Sequence, residues 1–373
     1  MQAYHTPPRL DDAVALLRRL ISTPSTSGHE EATAAIWQDW FGRHGFETQR
    51  IYNNIFAVAP GFRPGRPTLL LNSHHDTVKP SDAYTRNPYK PDIADGCLYG
   101  LGSNDAGASG VALAETFVDM AGTLMPFNLV IAISAAEETM SPQGMRALLP
   151  ELEKRGMKPD MAIVGEPTGM QPAMAERGLL VLDCVAEGRQ GHAARDEGIN
   201  AIYRAIEDIG RLRSFSPPLE SSVLGPIKVS VTMIEAGSQH NVVPAQCRYV
   251  ADVRTTDAYT NAETVEMLQK QVKWSVLTPR STHIQASALM PGHPLLAAAC
   301  SLGLEPFVSP TTSDMALMHG IPSLKIGPGE SSRSHMADEY IRLEEINEAL
   351  HIYPQLIKNL ANGKTTLEQG IRP

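Results

Sequence analysis

The residues best suited to chemistry are two histidines and a set of carboxylates, each placed just after a short apolar run. Leu69-Leu70-Leu71-Asn72-Ser73-His74-His75-Asp76 reads as a buried strand that ends in a His-x-Asp pair. An imidazole at a strand end is a good metal ligand, and a carboxylate two residues on can hold the ring or join the coordination. Asn128 to Ser134 is a second such strand, followed by Glu137-Glu138, and Met161 to Val164 is a third, followed by Glu166. Adjacent glutamates past a strand end point in different directions, so one can grip a cation while the other takes a proton from water. A second imidazole, His335, stands in the glycine-rich loop that begins at Gly327, after a strand at Ser323 to Ile326. Singly these signals are ordinary, because His-x-Asp closes many solvated turns and Glu-Glu is commonest on surfaces. Their repetition at successive strand ends is what points to cation chemistry.

The run Gly100-Leu101-Gly102-Ser103-Asn104-Asp105-Ala106-Gly107 opens like a dinucleotide-binding fingerprint. The third glycine falls at Gly107 instead of three residues after Gly102. Asp105 also occupies the place where a pyrophosphate would need uncharged backbone N–H groups. An acid at the opening of a helix suits a cation better than an anion.

These residues need elements to hold them. Leu10, Val14, Leu17 and Ile21 recur at helical spacing, and a second helix is predicted from Glu30 to Arg43 with Ile36 and Trp40 inward. Strands are predicted at Ile51 to Val58 and Leu69 to Ser73, a loop at Pro80 to Gly96, and a helix after Gly107. The strand at Asn128 to Ser134 precedes a helix at Gln143 to Arg155. Strands each followed by a crossover make a mainly parallel sheet, and ligands collect beyond the carboxyl ends of such strands. His74, Asp76, Glu137, Glu138 and Glu166 should therefore meet on one rim. From Leu179 the pattern changes to strand (to Ala186), helix (Asn200 to Arg213), strands (Ile227 to Ile234, Gln246 to Val253), helix (Ala262 to Val276) and strand (Thr282 to Ala288). That βαββαβ order is the ferredoxin-like unit. The expected fold is thus α/β, with a catalytic domain of residues 1–173 and 287–373 and an inserted domain of 174–286. In the last helix Ile346, Leu350, Tyr353, Ile357 and Leu360 form an apolar stripe assigned to the core.

Composition narrows the function further. A chain of 373 residues exceeds one ordinary core, so two domains are expected. A formal net charge of -9 without a basic stripe makes nucleic acid and anionic membrane surfaces poor partners. No apolar run approaches the roughly 18 residues of a membrane span, and Met1 to Arg18 lacks a signal-peptide pattern. Cys97, Cys184, Cys247 and Cys300 are scattered, which argues against disulfides or a thiolate zinc site and fits a reducing cytoplasm. Any metal must be held by imidazole and carboxylate.

Together the segments carry a resemblance. Ser73-His74-His75-Asp76-Thr77-Val78, Gly102-Ser103-Asn104-Asp105, Glu137-Glu138 and Val164-Gly165-Glu166-Pro167-Thr168 resemble the metal motifs of the M20 family of metallopeptidases and deacylases. Gly191-His192-Ala193, Asn241-Val242-Val243-Pro244 and Ser334-His335-Met336-Ala337-Asp338-Glu339 extend the match in order along nearly the whole chain. Within the family the acetylornithine deacetylase branch is the most similar. The resemblance implies a zinc-peptidase-like catalytic domain and two divalent ions, zinc by family expectation, with cobalt or manganese compatible with the ligand set. It implies that Asp105 bridges the ions, that His74 and Glu166 complete one shell, and that Glu138 and His335 complete the other. Asp76 would orient His74, and Glu137 would be the general base. His192 would stabilise the oxyanion in the site of a partner subunit, which implies a homodimer joined through the inserted domain. Two positions depart from the family pattern: His75 stands where a hydrophobic residue is usual, and Asp105 follows Ser103-Asn104 in place of an arginine-containing turn. His75 is a competing ligand on paper, but strand alternation turns it away from His74.

The implied reaction removes the acyl group from N-acetyl-L-ornithine to give L-ornithine, in arginine biosynthesis. Alternatives are desuccinylation of N-succinyl-L-ornithine or succinyl-diaminopimelate, or dipeptide hydrolysis. A metal-dependent amino-acid sensor without turnover is the non-enzymatic alternative. A small N-acyl amino acid carries an α-carboxylate that needs cationic or backbone donors. Arg254, Arg177 and the amides from Gly327 to Gly329 are the candidates, with Asn241 beside them. For either arginine the competing role is a surface ion pair.

Overall fold

The structure is a computed structural model that describes residues 10–195 and 197–363. The opening segment Met1 to Arg9 lies outside the described residues. The chain divides into two compact units, Met1–Ala175 with Leu289–Pro373, and Glu176–Ala288.

The first unit is built on a twisted sheet whose centre is parallel. The strands Asn128–Ser134, Thr68–His74, Met161–Val164 and Ser323–Lys325 lie side by side in that order, all parallel. The hairpin Thr48–Ile51 and Asn54–Val58 adds antiparallel strands at one side. It replaces the single strand expected at Ile51 to Val58, because Tyr52 turns the chain with φ 53°. The apolar runs are buried on both faces, as a doubly covered parallel sheet requires. Leu69, Leu71, Leu129, Ile131, Ile133 and Ile163 face one layer, and Leu70, Val130, Ala132, Ala162 and Val164 face the other.

Helices α1 (Leu10–Ile21), α2 (Glu31–Arg43) and α3 (Ala108–Met120) cover the first face. Helix α4 (Met145–Lys154) covers the second, and α5 (Ala201–Arg213) and α6 (Asn261–Gln271) belong to the inserted unit. Beyond the insertion, α7 (Pro294–Cys300) and α8 (Leu343–Asn362) return to the first face. In α8 the stripe Ile346, Leu350, Tyr353, Ile357 and Leu360 is buried as expected. In α2 the inward residues are Trp37 and Trp40, while Ile36 is half-buried. The larger indole takes the inward position, where its rings stack on Phe41.

The inserted unit has its own core, formed where one face of a four-stranded antiparallel sheet meets α5 and α6. Its strand order is Lys228–Ala236, Gln246–Thr255, Gly178–Glu187, Ser275–Pro279, the arrangement of a ferredoxin-like fold. The last strand differs from expectation: it is Ser275–Pro279, not Thr282 to Ala288, and α6 ends at Gln271 instead of Val276. The cause is Asp208 on α5, whose carboxylate accepts from the amides of Lys273 (2.8 Å), Trp274 (2.9 Å) and Ser275 (2.7 Å). Amides claimed by a side chain cannot continue a helix. Among the described residues, no helix is long and apolar enough to cross a membrane.

Candidate metal centre

Parallel register brings the first ligands together. Asn72 pairs with Val164, so two residues further along each strand His74 meets Glu166, with Nε2 and Oε1 3.8 Å apart. The carbonyl of Asp76 accepts from His74 Nδ1 at 3.0 Å. A carbonyl only accepts, so the ring proton sits on Nδ1 and the Nε2 lone pair faces the carboxylates. Asp105 lies with Oδ1 3.2 Å from His74 Nε2 and Oδ2 3.6 Å from His335 Nε2, one oxygen toward each imidazole. Glu138 Oε2 is 2.9 Å from His335 Nε2. Ligand atoms of His74, Asp105 and Glu138 all fall within 4.8 Å of one another. The strand ends thus gather all five of the metal-ligand candidates.

The donor set fits divalent ions. Burial, reinforced by the Asp105 charge, pushes the Glu166 carboxyl up to about 8. Burial opposes a charged His74, yet its contacts with Asp105 and Asp76 hold the imidazole well above its ordinary value. A cluster whose acid Glu166 is pushed up and whose imidazole is held above its ordinary value lacks positive charge. His74 with Glu166, and His335 with Glu138, would each hold one ion, with Asp105 between them.

The loop carrying Glu137 and Glu138 is fixed by four acceptor oxygens from three side chains. The Ala135 amide donates to Asn54 Oδ1 (2.9 Å) and that of Ala136 to Glu30 Oε1 (3.1 Å). The Glu137 and Glu138 amides donate to the two oxygens of Asp76, at 3.0 and 3.1 Å. Asp76 therefore does more than the expected orientation of His74, whose Nδ1 lies 3.5 Å from its Oδ1. It also places the two glutamates, while Ser27 Oγ donates to it at 2.6 Å. Burial, with the nearby Glu166, Asp314 and Asp76 charges, raises the Glu137 pKa well above the usual carboxylate range.

The glycine turn is held in the same way. Glu339 accepts from the amides of Gly102 (2.9 Å), Asn104 (2.8 Å) and Asp105 (2.9 Å). Gly329 has φ 85°, and a Cβ there would strike the Asn104 side chain; a Cβ at Gly327 would strike Ser109 and lie 2.5 Å from the Glu166 carbonyl. Replacing Gly327 by alanine is expected to displace Glu166. We expect stability to fall by about 1–3 kcal/mol and kcat/KM with it, measured by denaturant titration and initial rates.

Several sequence expectations change here. Gly327 donates its amide to Thr168 Oγ1 at 3.1 Å, so it is not an open donor for a substrate carboxylate. Arg254 pairs with Asp252 at 2.8 Å, and Arg177 donates to the carbonyls of Pro226 and Leu224. Both guanidiniums are thus committed within the inserted unit. Asn241 is exposed there, and its carbonyl accepts from the Ala193 amide at 2.9 Å. His192 is exposed on the short strand Gly191–His192, where its Nδ1 accepts from the Ala194 amide at 3.1 Å. His75 points elsewhere, with Nδ1 2.9 Å from Thr33 Oγ1 and Nε2 3.0 Å from the Asn53 carbonyl, and burial pushes it down to about 4. Sequence reasoning missed Glu30, Asn54, Glu339 and Asp314. The last is buried, accepts from Ser134 Oγ at 2.5 Å, and is pushed up to about 6 by that burial. Only Glu339 had a local signal, the acidic pair that follows His335.

Known proteins resemble this chain along most of its length. The acetylornithine deacetylase of Shigella sonnei is 29% identical over 94% of this chain and 98% of its own. Succinyl-diaminopimelate desuccinylase 2 of Ruegeria sp. (strain TM1040) is 26% identical over 93% of this chain and 95% of its own. Among solved structures, aminopeptidase PepT of Bacillus cereus superposes with a TM-score of 0.73 at 19% identity, covering 94% of this chain and 99% of that one. The YXEP protein of Bacillus subtilis, a dinuclear metal-binding peptidase, gives 0.72 at 16% identity, covering 95% and 98%. Residues 70–359 match the profile of Peptidase family M20/M25/M40. The chain belongs to that family, and it is a metal-dependent amidohydrolase.

Proposed function

We propose that the enzyme deacylates N-acetyl-L-ornithine, releasing L-ornithine and acetate, in arginine biosynthesis in the cytoplasm. The observation that carries the hydrolytic reading is the meeting of His74, Asp105, Glu138, Glu166 and His335 beside a separately anchored Glu137. Two zinc ions held by these residues would polarise the scissile carbonyl and acidify water. Glu137 takes a proton from the attacking water and passes it to the amine nitrogen as the C–N bond breaks. The hydroxyl remains on the acyl carbon, which leaves as the carboxylic acid.

His192 fits the role of oxyanion donor in a partner subunit's site. Its Nδ1 accepts from a backbone amide, so the neutral ring carries its proton on Nε2 and can donate it. A homodimer through the inserted unit is supported by its edge strand Lys228–Ala236, which exposes Met233 and Ile234. An apolar edge strand is a template for pairing with a second copy. Met233→Glu combined with Ile234→Lys is expected to give a monomer by sedimentation. A dimer that persists in this variant would place the interface elsewhere.

A second reading, desuccinylation, is favoured by the relatives named for it at similar identity. Rates on N-acetyl-L-ornithine, N-succinyl-L-ornithine, N-succinyl-diaminopimelate and a dipeptide, read as free primary amine, separate the two. The highest kcat/KM is expected on N-acetyl-L-ornithine. A preference for either succinyl substrate would replace the assignment, and tight binding without amine release would favour a sensor.

A further inference from the structure

The second face of the catalytic sheet carries a buried acid that the reaction does not use. Leu70, Asn72 and His74 alternate onto that face, and Ser134 stands beside His74 as its parallel partner on the next strand. The short 3-10 helix Asp314–Leu317 closes over these side chains, with Met315 in one apolar cluster with Leu70, Val130 and Val164. Its first residue, Asp314, is 1% exposed and touches both Ser134 and Asn72. The carboxylate therefore lies just beneath the strand ends that carry the metal-ligand candidates.

Its two oxygens have unequal surroundings. Oδ2 accepts from Ser134 Oγ at 2.5 Å and from the Asn72 side-chain amide, oriented with its nitrogen toward the carboxylate, at 3.2 Å. Oδ1 is buried, and among the described residues no hydrogen-bond donor reaches it. An ionised oxygen without a donor in the interior is destabilising unless positive charge comes near. The field of this carboxylate is felt at the strand ends. Burial comes first in raising Glu137 and Glu166, and the Asp314 charge adds to both. The metal-free fold gains nothing from that charge, because a neutral amide of the same shape would keep the Oδ2 contacts. A divalent cation at the strand ends is the partner that turns the charge to advantage.

We propose that Asp314 is a positioning residue of the metal centre: its carboxylate, held by Ser134 and Asn72 beneath His74, strengthens the grip on a divalent ion at His74 and Glu166. The inference rests on the metal reading of the strand-end cluster and gives a role to a residue outside the ligand set.

The test compares Asp314→Asn with wild type in the full-length protein. Two quantities are read: zinc affinity, by competition with a chromophoric chelator, and the melting temperature of the metal-free form. Asparagine can accept both Oδ2 hydrogen bonds with its carbonyl oxygen, and its nitrogen falls where Oδ1 had no donor, so charge is the main loss. Zinc affinity is expected to fall by roughly 10- to 100-fold, while the metal-free variant melts no lower than wild type. Ser134→Ala keeps the charge and removes one hydrogen bond, and it should bind zinc nearly as wild type does. Unchanged affinity in Asp314→Asn would overturn the inference. An equal loss in Ser134→Ala, or a loss joined to a lower melting temperature of the metal-free form, would overturn it in favour of a packing role. Wild type that bound no zinc would instead refute the strand-end centre itself, and the role of Asp314 would fall with it.

Discussion

Replacing Glu137 with glutamine is expected to lower kcat by on the order of 10³- to 10⁴-fold while leaving metal content and melting temperature nearly unchanged. The separation of these effects follows from how the loop is held. The Glu137 amide is bound by Asp76 and the preceding amides by Glu30 and Asn54, so the backbone does not depend on the side chain. Glutamine keeps the shape and removes the ability to accept and return a proton. KM should change little, because the lost interaction belongs to the transition state. Near-normal turnover in this variant would assign the base to another group, and loss of zinc would make Glu137 a ligand.

Asp105→Asn should lose activity by a different route. Asp105 directs one oxygen to His74 and the other to His335, so its charge serves both halves of the cluster. An amide in its place offers one neutral oxygen and an N–H that repels cations. Affinity for metal is expected to fall by more than the roughly 10- to 100-fold typical of losing a ligand's supporting partner. At ordinary metal concentrations the variant should be empty and inactive, and excess zinc should restore part of the rate. Two ions bound with unchanged affinity would remove Asp105 from the bridging role. The two variants fail differently: one retains metal without turnover, and the other loses turnover because it loses metal.

Much of this centre was legible because its information is local. Apolar runs such as Leu69 to Ser73 and Asn128 to Ser134 mark buried strands, and the acids that follow them must emerge at the same sheet edge. Parallel pairing then does the rest, and it sets His74 opposite Glu166. What was not legible depends on partners far away in sequence. Glu30 reads as an unremarkable helix-start glutamate, yet it accepts from an amide 106 positions away. Asp208 likewise stops α6 from another helix, which no periodicity within residues 262–276 reveals. For Arg254 and Arg177 the sequence leaves two roles open, carboxylate binding and a surface ion pair, because residue type alone does not reveal the Asp252 carboxylate or the Pro226 and Leu224 carbonyls that they meet.

The clasp of Glu339 on the Asp105 turn has a consequence for biosynthesis. The ribosome delivers His74, Asp105, Glu137, Glu138 and Glu166 well before His335 and Glu339, which follow the inserted unit in the chain. Until then the turn lacks the acceptor for three of its amides, and the nascent polypeptide carries an unfinished trap for ions. Domains generally fold as units while the chain is being made. The inserted unit can therefore complete its own core before the clasp on the Asp105 turn is made. The segment that carries His335 and Glu339 then closes the turn and brings the second imidazole to Glu138.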